Sequence, residues 1–186
     1  MLGKGRITRE QPHAQSVETK RGVMATPPPT STRSTRPIGV ADLEQVIAID
    51  RVNVGHGRRH FFEKRFAAAK ARPDDFVHIG VIVDDKLCGF AIARILRGEF
   101  GQKDAVAVVD ALGVAPERRE HGLGQSLMEG LIETSRGNGA RCVQSQVNWK
   151  NDELSRFFNS AGFVLAPRLA LERPMSILSE ELGEEA

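Results

Sequence analysis

The stretch that decides the reading runs Ala105-Val106-Ala107-Val108-Val109-Asp110-Ala111-Leu112-Gly113-Val114 and continues Ala115-Pro116-Glu117-Arg118-Arg119-Glu120-His121-Gly122-Leu123-Gly124-Gln125-Ser126-Leu127. Its first ten residues are small, β-branched or apolar and suit a buried strand, with one ionisable side chain, Asp110. From Gly122 the apolar residues Leu123, Leu127, Leu131 and Ile132 recur at near-helical spacing, up to the stop at Gly137-Asn138-Gly139. A strand, a basic turn and a glycine-rich helix start in direct succession make an anion site. The first N–H groups of a helix have no intrahelical acceptor, the helix dipole adds partial positive charge, and glycine lets an oxyanion approach the backbone. Arg118 and Arg119 add full charges beside it.

Working outward, residues 76–83 and 87–96 are β-rich runs joined at Asp84-Asp85-Lys86, a hairpin signal that makes residues 105–114 the third strand of an antiparallel meander. Upstream, residues 37–40 read as a short first strand. Residues 41–50 place Leu43, Val46, Ile47 and Asp50 on one helical side, and residues 59–71 do the same with Phe61, Phe62, Phe66 and Ala69 before Pro73. Downstream come a strand over 141–147, a helix over 151–161 closed by Gly162, and two short strands over 163–165 and 169–172 around Pro167.

Arg119-Glu120-His121-Gly122-Leu123-Gly124 resembles the signature of the GNAT superfamily of N-acetyltransferases: Gln or Arg, two residues, Gly, one residue, then Gly or Ala, after a hydrophobic strand. Asn151-Asp152-Glu153-Leu154-Ser155-Arg156-Phe157-Phe158-Asn159-Ser160-Ala161-Gly162-Phe163 resembles the family's second cofactor motif, in which Asn opens a helix that ends in Gly-Phe. The resemblance covers about residues 36–173 and includes the element order. It implies an α/β (α+β) GNAT fold: a central mixed, mostly antiparallel sheet of six to seven strands, about four flanking helices and a V-shaped cofactor cleft. It also implies acetyl-CoA (coenzyme A) as cofactor. Its pantetheine arm would meet Leu112, Gly113 and Val114, and its diphosphate Arg119, His121, Gly122, Leu123, Gly124 and Gln125. Asn151 and Phe158 of the second motif complete the implied cofactor set. Gly122-Leu123-Gly124-Gln125-Ser126-Leu127 lacks the third glycine of a dinucleotide fingerprint, and no Gly-Lys-Ser/Thr is present, so Rossmann and P-loop readings fall away.

The length, 186 residues, suits one domain, expected over 35–174, between a basic, Pro-rich disordered leader over 1–34 and an acidic tail over 175–186. Met24 is an alternative start to Met1. No run approaches the roughly 20 apolar residues of a membrane span, which points to a soluble, cytoplasmic protein with no membrane partner. Cys88 and Cys142 are expected as reduced thiols in buried strands, with no metal site. The net charge of +2 and a basic arm without interleaved aromatics argue against nucleic acid as a partner. A homodimer stays open.

Amide formation needs a neutral amine and something to take its proton. Asp110 is the catalytic candidate: the lone ionisable group of its strand, two residues before Leu112 and so expected on the same side. The alternative, a structural carboxylate paired with an arginine, stays open. His56 and His60, with Arg58, Arg59 and Glu63, lie where the family places its substrate-side loop and second helix. The chain contains no Tyr and has Phe158 where many members carry a general acid. The acceptor is expected to be a primary amine, on a protein (lysine or N-terminus) or on a small molecule. A non-catalytic acetyl-CoA-binding module is the remaining alternative.

Overall fold

The computed structural model describes residues 32–98, 101, 103–119 and 121–173. The expected tail over 175–186 and all but residues 32–34 of the expected leader lie outside them. Five strands form one sheet in the order β1-β2-β3-β4-β5: β1 Arg33–Pro37, β2 Phe76–Val83, β3 Lys86–Leu96, β4 Ala105–Val114 and β5 Ala140–Gln144. Four α-helices accompany them: α1 Leu43–Val54, α2 Arg59–Ala71, α3 Leu123–Gly137 and α4 Asp152–Ser160.

The meander follows from local chemistry. Asp84 and Asp85 both take left-handed φ, 49° and 61°, a conformation that aspartate tolerates and that turns β2 into β3 in two residues. β1–β2, β2–β3 and β3–β4 pair antiparallel, whereas β4 and β5 pair parallel, joined by α3 as crossover. Alternation along the strands then sorts side chains to two faces. Val77, Ile79, Val81, Ala91, Ala93 and Ala107 meet Leu123, Leu127, Met128 and Leu131 of α3. Phe90, Ile92 and Ala111 meet Val46, Ile47 and Ile49 of α1 and Phe62 and Phe66 of α2. Each large aliphatic side chain buried on α3 contributes about 2 kcal/mol by transfer from water.

Three expectations need correction. The sheet has five strands among the described residues, not six to seven, because residues 163–165 and 169–172 join no ladder. Val164, Leu165, Leu169 and Leu171 are all exposed. The two runs are only three and four residues long and flank Pro167, which has no N–H to donate, so neither supports a ladder. The first strand is Arg33–Pro37 rather than 37–40. It is an exposed edge strand with no apolar run to announce it, and it includes two residues of the expected leader. Cys88 is buried, but Cys142 is exposed.

Candidate functional site

β4 and β5 stay paired only from Ala105↔Ala140 to Val108↔Gln144. Beyond that point residues 109–114 keep β3 on one side and, among the described residues, have no strand on the other. β4 thus offers backbone groups without a strand partner along an opening, with Val114 O taken up by Asn53, and leads straight to the start of α3. The route passes a 3-10 turn, Pro116–Arg118, to Gly122, whose φ of +70° is left-handed and favours glycine. The first intrahelical bond of α3 runs from Ser126 N to Gly122 O at 3.1 Å, so the amides of Leu123, Gly124 and Gln125 precede the ladder. A Cβ on Gly124 would stand 2.9 Å from Cε2 of Phe157, so glycine here lets α4 close against α3.

Polar and charged side chains from three elements, β1, α1 and α4, brace this turn. Arg33 of β1 donates to His121 O at 3.1 Å and Gly122 O at 2.8 Å. Arg119 donates to Oδ1 of Asn53 at 2.7 Å and stands 3.7 Å from Glu153 of α4. Asn53, from α1, in turn donates to Val114 O at 3.1 Å. Nδ1 of His121 lies 2.6 Å from Arg119 O.

The expected cofactor residues fall into two groups. Leu112, Gly113, Val114, Arg119, His121, Gly122, Leu123, Gly124 and Gln125 follow one another from the open edge of β4 into the first turn of α3. Gly113 packs so tightly that a Cβ would meet the Phe90 ring at 2.9 Å, and Leu123 is buried, so what it can offer the turn is its amide, which has no intrahelical acceptor. Asn151 and Phe158 are engaged elsewhere. Asn151 caps α4, accepting from Leu154 N at 3.0 Å, and Phe158 is buried with its ring between Phe157 and Phe163, at centroid distances of 5.4 and 4.8 Å.

Asp110 does not share a side with Leu112. The β3–β4 register jumps from Ile92↔Ala111 to Ala93↔Val109, so Asp110 is the extra residue of a β-bulge. Leu112 packs with the α3 cluster, Ala111 with the α1/α2 cluster, and Asp110 turns toward α2. There Arg94 Nε donates to both carboxylate oxygens, at 3.0 and 2.8 Å, and Arg94 Nη2 donates to Oδ1 at 2.8 Å. Arg65 of α2 pairs with Oδ2 at 2.8 Å, off the line of a hydrogen bond, and its guanidinium lies 5.1 Å from the Phe61 ring centre. Nearby His78 of β2 is buried between Phe66 and Phe76 with no partner for Nε2. Burial pushes its pKa down to about 4; the charge of Asp110 opposes that shift and the charge of Arg65 adds to it. His56, His60 and Glu63 are exposed, and Glu63 stands 3.6 Å from Arg59.

The sequence reading missed Arg33, Asn53, Arg65, His78 and Arg94. Only Arg94 carried a signal: in an antiparallel meander, a lone arginine of β3 facing the lone acid of β4 is a cross-strand pair. Among the described residues no His, Cys, Asp or Glu cluster is placed to hold a metal ion, and no helix is long and apolar enough to cross a membrane.

The family model described as "Acetyltransferase (GNAT) family" matches residues 43–163. The chain belongs to the GNAT acetyltransferase family. Solved structures of similar fold include an aminoglycoside N-acetyltransferase, AAC(6')-Iy, in complex with CoA, at TM-score 0.66 and 18% identity over 80% of this chain and 99% of that one. Another is glucosamine-6-phosphate N-acetyltransferase from Arabidopsis thaliana, at TM-score 0.60 and 16% identity over 78% and 99%. A third holds AAC(6')-Iy with a bisubstrate analogue of CoA and acetylneamine, at TM-score 0.65 and 19% identity over 78% and 100%. At such identities the likeness is one of fold. No curated protein matches the chain.

Proposed function

We propose that this protein is an acetyl-CoA-dependent N-acyltransferase that acetylates a primary amine. The observation that carries the reading is the free edge of β4 over residues 109–114 running into the unpaired amides of Leu123, Gly124 and Gln125. The fit is chemical. An extended chain with amide groups pairs with a strand edge, and a diphosphate suits three helix N-terminal amides behind a left-handed glycine, with Arg33, Arg119 and His121 alongside. Solved relatives in complex with CoA or a CoA conjugate support the same cofactor.

Acetyl-CoA, when bound, supplies an acetyl group on a thioester whose thiol has a pKa of about 8.5, a tolerable leaving group without a protein acid. That matters because the chain has no tyrosine and Phe158 is buried. The residues of this chain hold and orient; the amine attacks as the free base. Asp110 acts here as a positioning residue, since the bulge aims it at Arg65 and Arg94 and both its oxygens are engaged. Asp110→Asn is then expected to lower turnover less than tenfold and to keep the shape of the pH–rate profile. A fall of roughly a hundredfold that recovers as pH rises would restore Asp110 as general base.

The acceptor fits a small molecule or a protein amine. Thiol release from acetyl-CoA in the presence of an amine panel and lysine peptides tests the reading. Amine-dependent release is expected, whereas tight acetyl-CoA binding with no release on any amine would replace it with a non-catalytic binding module.

A further inference from the structure

On the α2 side of the sheet, behind Asp110, lies a cleft of about 420 Å³ that the cofactor passage does not use. Its walls include Arg65 and Arg72 of α2 and its end, and Arg94 and Arg97 of β3 and its end. These four guanidinium groups are matched by two carboxylates. Asp110 pairs with Arg65 and Arg94, and Asp75 is shared by Arg72 at 3.5 Å and Arg97 at 2.5 Å. The cleft therefore carries an excess of positive charge. Arg72 and Arg97 are also the accessible pair, with side chains 70% and 50% exposed against 27% and 34% for Arg65 and Arg94. Phe76, Ile95 and Leu96 give the cleft an apolar floor.

Asp110 ties this cleft to the reactive edge. It is the bulge residue just inside the open stretch of β4, and it clamps the two inner arginines of the cleft. The β3 wall of the cleft, Arg94, Ile95 and Leu96, stands opposite Val108, Ala107 and Val106 of β4, so a molecule held by the arginines would lie on the other side of the bulge from the passage into α3.

We propose that this cleft receives an anionic group of the acceptor, so that the substrate class is a small primary amine that also bears a carboxylate or a phosphate. Guanidinium pairs bind both by forked N–H donation, and the surplus charge repels polycationic amines. The inference rests on the N-acyltransferase reading above and narrows it. The size is adequate: the volume lies within the range of small-molecule pockets, roughly 300–1,000 Å³.

Matched amines test it, with thiol release from acetyl-CoA as the readout: O-phosphoethanolamine against ethanolamine, β-alanine against propylamine, and 1,3-diaminopropane as the cationic member. The anionic member of at least one pair should have the higher kcat/KM by roughly ten- to a hundredfold, the scale of one or two charge-assisted contacts, and the larger ratio shows which anion fits. In Arg72→Gln/Arg97→Gln that ratio should collapse toward one. Both side chains are largely exposed, so the variant should fold, and a general loss of structure would lower both members of a pair and leave the ratio standing. Equal rates within both pairs, preference for the diamine, or a ratio unmoved by the double substitution would overturn the proposal while the N-acyltransferase reading stands. No release with any amine, by a protein that binds acetyl-CoA, would overturn that reading and this one with it.

Discussion

The two faces of the sheet are built from opposite materials. The α3 face is a layer of small and aliphatic side chains, Val77, Ile79, Val81, Ala91, Ala93 and Ala107 under Leu127, Met128 and Leu131, and what it presents at its open end is backbone. The α1/α2 face has an apolar centre too, but sets charge into it. Asp50 is 1% exposed and accepts from Arg58 at 3.0 and 2.5 Å, Asp42 is paired with Arg36 at 2.7 Å, and Asp110 lies between two arginines beside neutral His78. One face thus exposes main chain and glycine at its open end. The other carries fixed charges, each of which depends on a partner.

That contrast is most exposed to refutation at Asp50. Removing one partner of a buried pair leaves the other without compensation, so Asp50→Ala should cost roughly 3–5 kcal/mol, read from urea unfolding. A loss below 1 kcal/mol would mean that the charges of this face are decorative.

His78 sharpens the same point through pH. Its folded-state pKa lies below its unfolded value, so the unfolded chain takes up the proton first. Stability should be flat above about pH 6.5 and fall as pH drops from about 6.5 to about 4, by roughly 3 kcal/mol in all. His78→Leu should flatten that window. Asp42 loses its contribution lower still, because the Arg36 hydrogen bond holds its carboxyl below the ordinary value. An unchanged slope in His78→Leu would show that the buried imidazole does not carry the acid sensitivity.

On the other face the corresponding break is Gly122→Glu. Space exists for the Cβ, whose nearest neighbour is Arg33 Nη1 at 3.5 Å, but φ of +70° is unfavourable and the carboxylate stands at the helix start. A stability loss of about 1 kcal/mol is expected, with acetyl-CoA affinity down roughly ten- to a hundredfold by calorimetry. Arg33→Ala gives the smallest effect. It removes two exposed hydrogen bonds to the turn, so melting should barely move while acetyl-CoA affinity falls a few-fold. A large drop in melting temperature would make Arg33 a fold residue instead.

Much of this is legible in the sequence alone. The β-rich runs of residues 76–83 and 87–96, the helical spacing after Gly122 and the strand-turn-helix succession are each local signals, and local signals survive folding. Convergence across the chain does not show in that way. Asp110 was readable as a costly acid in an apolar strand, but a bulge of one residue moved it from the side of Leu112 to that of Arg65 and Arg94. β1 escaped because an exposed edge strand, Arg33–Pro37, needs no apolar residues, and Cys142 because a five-residue strand beside an opening is covered on neither side as fully as its composition suggested. Arg72 and Arg97 lie far apart in the chain, and only the fold sets them around one cleft.

The central claim is that acetyl-CoA lies along the free edge of β4 and on the start of α3. Amide hydrogen exchange of the protein with and without acetyl-CoA tests it most directly. The account predicts added protection concentrated in residues 109–114 and 122–125, with β2 unchanged. Protection absent from both stretches under saturating acetyl-CoA, or confined to the α2 side, would contradict it.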